Sequence, residues 1–192
     1  MNKLLLGAFL LCLPCTAFAQ TSPVVASDAD TKVDVTFSGG HDTVGEDRGR
    51  PIILIAAALK VPDQVFRDAF KGVHPAQTGG GPTDAEARAN KQVLMAELSP
   101  YGVTDDRLNA VSNYYRYRRS AGEMWRNTPA KAYATVHNGV VTSVTITDAG
   151  SGYSSPPVIS VPGVSNANLV PTLSFGTDFA TNGSIKEIKV GP

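Results

Sequence analysis

Asn138-Gly139-Val140-Val141-Thr142-Ser143-Val144-Thr145-Ile146 is echoed later by Asn182-Gly183-Ser184-Ile185-Lys186-Glu187-Ile188-Lys189-Val190. Each stretch opens on Asn-Gly, the pair that best tolerates the positive φ angles of a tight hairpin, and continues with alternating residues. The expectation is two hairpins, each with a two-residue turn at its Asn-Gly pair. Strands are placed at 132–137, 140–147, 158–161, 169–175 and 184–190, with an irregular loop over 148–157. A further alternation, Val33, Val35 and Phe37, reads as a strand over 32–37.

Upstream the period changes. From Pro51 to about Tyr117 apolar residues recur at three and four positions, which is the spacing of an amphipathic helix. Pro51 suits a first helical position, and residues 52–59 are apolar on nearly every side, as in a buried central helix. A second helix starts at Pro62 and runs to about Lys71, with Val65, Phe66, Ala69 and Phe70 on one face and Gly72 as its stop. Beyond a glycine-rich stretch at 78–81, Thr83 and Glu86 have capping-box spacing and open a third helix to about Leu98. Thr104 caps a fourth, with Val103 and Leu108 as a hydrophobic staple and Leu108, Val111 and Tyr115 on one face. Val61-Pro62-Asp63 and Val103-Thr104-Asp105 precede matching apolar positions, which suggests two related helical hairpins.

The fold class expected is therefore α+β, a four-helix N-terminal unit followed by a small antiparallel β unit built from two hairpins. The organisation reads as a signal peptide over 1–19, then a leader, strand and polar loop over 20–48. A helical unit over 49–121, a joint over 122–130 and the β unit over 131–192 follow.

The first segment carries its own signals. Lys3 is basic, residues 4–13 are almost wholly apolar, and Ala17-Phe18-Ala19 fits a signal-peptidase site, so the mature protein is expected from Gln20. The apolar run stops at Pro14, short of the ~20 residues of a transmembrane anchor. Secreted or periplasmic residence follows as an expectation. Cys12 and Cys15 both lie inside the leader, so the mature fold must stand without disulfides. Removing Lys3 from the 17 basic residues leaves 16 against 17 acidic ones, a balance that argues against generic nucleic-acid binding.

Within the second half, residues 139–146 followed by Gly150-Ser151-Gly152-Tyr153-Ser154-Ser155-Pro156-Pro157-Val158 resemble the Gly-Ser-Gly-Tyr/Pro-Pro β repeat of phage tail and bacterial surface proteins. That resemblance implies rigid β structure and carries no catalytic residues. The helical half, especially Gly49-Arg50-Pro51 and Ser112-Asn113-Tyr114-Tyr115-Arg116-Tyr117, resembles an uncharacterised family of exported proteins from planctomycete-like environmental bacteria. It implies no function.

Two polar clusters are candidate sites. In residues 39–48, His41, Asp42, Glu46 and Asp47 offer an imidazole and carboxylates for acid-base work or cation binding. Their spacing matches neither an EF-hand loop nor a helix-borne zinc pair, and a solvated loop explains them as well. No metal and no cofactor is expected. The second cluster, Arg116, Tyr117, Arg118 and Arg119 with Trp125 downstream, combines aromatic faces with guanidinium groups and could hold an anionic polysaccharide or a protein partner. Its plain alternative is a helix C-terminus, where arginines suit the macrodipole and Tyr115 is core. His74 and His137 lack partners at metal-ligand spacing, and Gly150-Ser151-Gly152 lacks both the third glycine and the following helix of a dinucleotide loop. Tyr153 reads as a buried plug beneath a glycine loop.

The functional expectation is a non-enzymatic extracytoplasmic module, structural or binding, for envelope polysaccharide or a surface protein. The alternative is a hydrolase of envelope polymer using the carboxylates of the 41–47 loop. A cleft shared by the two clusters would favour the enzyme, and two separate surfaces would favour a binding protein.

Overall fold

The computed structural model describes residues 29–74 and 82–191. The leader read over 1–19, the segment 20–28 and the glycine-rich stretch 78–81 lie outside the described residues. Four helices come first, α1 (Ile52–Leu59), α2 (Asp63–Lys71), α3 (Asp84–Leu98) and α4 (Asp105–Tyr114). Strands flank them: β1 (Thr31–Asp34) and β2 (Thr36–Ser38) before, then β3 (Lys131–His137), β4 (Val140–Asp148), β5 (Val158–Ser160), β6 (Leu169–Ser174) and β7 (Ser184–Val190). The fold is α+β with antiparallel sheets, as the change of period along the chain implies.

The helix signals act as local chemistry dictates. Thr83 accepts the Glu86 amide while Glu86 reaches back to the Thr83 amide at 2.7 Å, completing the capping box of α3. The Thr104 hydroxyl caps the Arg107 amide at 3.2 Å, and the staple residues Val103 and Leu108 are both buried. Pro51 and Pro62 stand at N-cap positions, so α1 and α2 each begin one residue later than the starts read from the sequence. The repeated hairpin signal has a structural counterpart: Lys60 and Gly102 are both left-handed, each followed by a buried valine, a cap and an aspartate.

α1 is the centre of the helical half. Ile52, Leu54, Ala56, Ala58 and Leu59 are buried and Ile53 and Ile55 partly so, which is the all-round apolarity the sequence shows. Full burial of a leucine such as Leu54 contributes about 1.5–3 kcal/mol. Phe66 and Ala69 of α2, Leu98 of α3 and Leu108 and Val111 of α4 close the core around it.

The strands form three small antiparallel sheets, ordered β1-β3-β4, β2-β5 and β6-β7. The strand expected over 32–37 is broken at Val35, which is buried and whose amide bonds the Ala132 carbonyl at 3.1 Å. The chain pairs with β3 before this point and with β5 after it, so one segment staples two sheets. In β3 the alternation holds, with Ala132, Ala134 and Val136 facing a core completed by Val141, Ile159 and Val161.

Only one Asn-Gly pair makes the turn expected of both. Asn138 and Gly139 have φ of 49° and 80°, and His137 pairs with Val140 across them. The second pair does not turn the hairpin, because β6 and β7 already close at Ser174 and Ser184, leaving 175–183 as a longer loop. Phe179 in that loop stacks on Tyr114, with centroids 4.3 Å apart and rings 9° from parallel. Asn182, fully buried, donates to the Leu54 carbonyl at 2.8 Å and the Tyr115 hydroxyl at 2.7 Å, while accepting the Gly176 amide at 3.1 Å. Aromatic burial and these bonds outweigh a tight turn.

The loop fastens the two halves. Arg107 of α4 donates to the Ala58 carbonyl, where α1 ends, and to the Thr177 carbonyl, with its guanidinium over Phe179. The segment read as a joint, 122–130, is mostly exposed but anchored: Trp125 belongs to the helical core, and Thr128 bridges Ser151.

Candidate functional site

The 39–50 segment leaves β2 and passes under the Gly-Ser-Gly-Tyr loop before entering α1. The Gly40 carbonyl accepts the amides of Ser154 and Ser155 at 2.9 and 3.2 Å. Asp42 is held at three points: its amide donates to Ser155 Oγ, its side chain accepts from the same hydroxyl, and its carbonyl accepts from Ser154 Oγ at 2.7 Å. His41 stacks on Tyr153, 5.3 Å between centroids and 28° from parallel, with Trp125 on another side at 5.9 Å. Its Nε2 is buried and has no hydrogen-bond partner among the described residues. Burial lowers the imidazole pKa, against smaller opposing effects of the Gly39 backbone and Asp42. Tyr153 is the plug the sequence suggests, 3% exposed, its hydroxyl accepting the Ala130 amide at 2.9 Å.

The other two acidic candidates stand apart from this contact. Residues Gly45–Asp47 form a short 3-10 turn that carries Glu46 outward and buries Asp47. Asp47 receives Arg67 of α2 on both oxygens, Nε at 2.6 Å and Nη2 at 3.1 Å, and Glu46 lies 3.4 Å from the same guanidinium. The hydrogen bond to the Asp47 carboxylate raises the Arg67 pKa. His41, Asp42, Glu46 and Asp47 thus divide between two structural contacts. Among the described residues no group of three or more His, Cys, Asp or Glu converges as metal ligands would.

The aromatic and basic cluster is also partly drawn inward, which corrects its expected exposure. Trp125 is 5% exposed and donates its indole N–H to the Gly152 carbonyl at 2.8 Å. Tyr117 packs edge-on to Trp125 and donates its hydroxyl to the Gly49 carbonyl. α4 ends at Tyr114, before these residues, because Tyr115 turns into the core as its C-cap. Burial there pushes the Tyr115 phenol up to about 12. Arg119 donates to the Arg48 carbonyl at 2.8 Å, Arg118 pairs with Glu123, and Arg116 reaches Asn113 at 3.2 Å. Arg116 and Arg118 remain on the surface.

What the sequence reading did not assemble is a cavity of about 480 Å³ on the other side of the 45–50 turn. Arg48 and Arg50 of the turn, Arg67, Phe70 and Lys71 of α2, and Ile52 line it together. At its rim the Asn90 side chain of α3 clamps the His74 backbone, accepting the amide at 2.9 Å and donating to the carbonyl at 2.7 Å. The guanidinium of Arg50 lies over the Phe70 ring, 4.3 Å from its centroid. A smaller cavity of about 100 Å³ shares Asp47, Arg50, Ile52 and Arg67 with the first and extends to Asp42 and Ser154. The one signal for this site in the sequence is the basic pair Arg67 and Lys71, one helical turn apart on α2, with Arg48 and Arg50 just before α1. Neither of these two cavities includes Arg116, Tyr117, Arg118, Arg119 or Trp125. The two clusters meet instead through His41 against Trp125, Tyr117 on the Gly49 carbonyl and Arg119 on the Arg48 carbonyl. No helix among the described residues is long and apolar enough to cross a membrane. Comparison of the chain with protein-family models, with curated proteins and with solved structures found no match.

Proposed function

We propose that this chain is a non-enzymatic extracytoplasmic binding module that engages envelope polysaccharide or a surface protein. The observation that carries the reading is the cavity of about 480 Å³, a size typical of ligand sites, built between the turn before α1, α2 and the rim of α3. Its acidic residues are a poor catalytic pair: both oxygens of Asp47 are engaged by Arg67, and Glu46 faces the same guanidinium. The carboxylate of Asp42 is tied to Ser155 away from the larger cavity. Support for export comes from the leader pattern, and support for a rigid scaffold from the resemblance of residues 139–158 to the β repeat of phage tail and surface proteins.

Mature protein beginning at Gln20, mixed with insoluble envelope polysaccharide, is expected to co-sediment without releasing reducing ends. Sustained release that disappears in Glu46→Gln would establish the hydrolase instead. Failure to sediment with any envelope fraction, together with failure to retain any surface protein, would remove the binding reading.

A further inference from the structure

Among the described residues, the Arg107 guanidinium over Phe179 donates to the Ala58 and Thr177 carbonyls, whereas Arg50 has no such close acceptor. Arg50 is half-buried, its guanidinium covers the face of Phe70, and its one polar contact is a long 3.5 Å approach to the Asp47 carbonyl. It forms no ion pair among the described residues, whereas Arg67, Lys71 and Arg118 each have a carboxylate. The nearby Asp47 carboxylate is already taken on both oxygens by Arg67. Burial, the largest influence, lowers the Arg50 pKa, and Arg48 works in the same direction against Tyr117 and Asp47. A guanidinium that has lost part of its water without gaining an anion is an incomplete arrangement, since desolvating a charge is costly unless a counter-charge replaces the solvent.

The walls around it lean the same way. Arg48, Arg50, Arg67 and Lys71 line the larger cavity with Glu46 and Asp47. Arg67 is answered by Asp47 and Lys71 by Asp68, which leaves Arg48 and Arg50 against Glu46 in a chain whose 17 basic and 17 acidic residues balance. Low-dielectric walls concentrate such a local excess. Phe70, Ile52 and Val73 supply an apolar floor beside the charges, which would receive the body of a ligand while the basic side takes its oxyanion. Planar guanidinium donors match the paired oxygens of carboxylate or phosphate better than any other side chain.

We propose that this cavity is an oxyanion site, in which Arg50, supported by Arg48 and Lys71, anchors a carboxylate or phosphate group carried on a small ring or apolar body. This deepens the binding reading above and rests on it. A uronate sugar of a polysaccharide and a phosphorylated envelope polymer both present that chemistry, and the probes separate them.

The test is calorimetric titration of the mature protein at low ionic strength with galacturonate, with inorganic phosphate and with neutral galactose, in wild type and variants of unchanged melting profile. One of the two anions is expected to bind saturably and galactose not to bind. Arg50→Gln should weaken that binding at least tenfold, and Arg118→Ala, outside the cavity, should leave it intact. If Arg50→Gln fails to fold, Lys71→Glu reverses a charge at an exposed position of the same wall and should weaken binding several-fold. Equal anion affinity in wild type and in the folded cavity variant overturns the proposal, as does loss caused by Arg118→Ala alone. Binding of neither anion also overturns it, and continued sedimentation with envelope polymer then shows that the binding module survives while its oxyanion site does not.

Discussion

The same dipeptide, Asn-Gly, does opposite work at 138–139 and at 182–183. At the first position both residues lie in the left-handed region, nothing would meet a Cβ on Gly139 within 4 Å, and the pair only reverses the chain between β3 and β4. At the second, Gly183 alone has positive φ, and Asn182 is buried among bonds to α1, to Tyr115 after α4 and to its own loop. The difference teaches that an Asn-Gly pair marks where the backbone is permitted to bend, while the residues before it decide what the bend is used for. Upstream of Asn138 is a regular strand. Upstream of Asn182 is Phe179, whose ring finds Tyr114 across the molecule.

The largest contrast should come from the asparagines. Asn182→Ala leaves the Leu54 carbonyl, the Tyr115 hydroxyl and the Gly176 amide without their partner, and at about 1 kcal/mol or more per buried group the expected loss is about 3 kcal/mol or more. Asn138→Ala removes a residue suited to left-handed φ together with an exposed 3.1 Å side-chain contact to His137, and should cost about 1 kcal/mol. Urea unfolding of the two variants measures both, and equal losses would break the distinction.

The glycines sharpen it further. A Cβ on Gly183 would strike the Tyr153 carbonyl and lie 2.6 Å from Leu54 Cδ2, at a φ of 71°. Gly183→Ala is expected to destabilise by about 2–4 kcal/mol through overpacking and backbone strain together. Gly139→Val carries backbone strain alone and should cost about 1 kcal/mol or more. If thermal melts rank these two the other way, the placement of Gly183 against Tyr153 is wrong.

A smaller, pH-dependent effect is expected where His41 stacks on Tyr153. The folded pKa is held below the unfolded value of 6.5 by burial, so above that pH both states are neutral and the contribution is complete. As pH falls through 6.5 the unfolded chain takes up the proton first, and stability declines toward acid until the folded imidazole also titrates. His41→Phe, which keeps a ring against Tyr153, should flatten the melting temperature between about pH 7 and pH 5. An unchanged slope would mean that other groups set it. The least effect is expected from Arg118→Ala: its pair with Glu123 is solvent-exposed, and the melting temperature should not move.

The helices were legible because their signals are local. Thr83 with Glu86, and Val103-Thr104 with Leu108, need only neighbours a turn away, and both work as their spacing implies. The strand limits were legible from alternation, except at Val35, where a pairing with β3 and β5 across the sequence breaks the strand. The site was less legible for the same reason. Trp125 and Tyr117 look like contact residues beside arginines, but their partners Gly152 and Gly49 are distant in sequence. The cavity is assembled from a turn before α1, one side of α2 and the rim of α3, and only Arg67 with Lys71 shows any spacing that hints at it.

The central claim is that Asn182, Phe179 and Arg107 make helices and sheets one cooperative unit rather than two tethered halves. Native-state amide hydrogen exchange tests it directly, by comparing the most protected amides of α1 with those of β7 in wild type and in Asn182→Ala. The account predicts one shared opening free energy in wild type, lowered equally in both elements by the substitution and by less in Asn138→Ala. Different opening free energies in the wild-type protein, or a loss in Asn182→Ala confined to β7 while α1 keeps its protection, would contradict it.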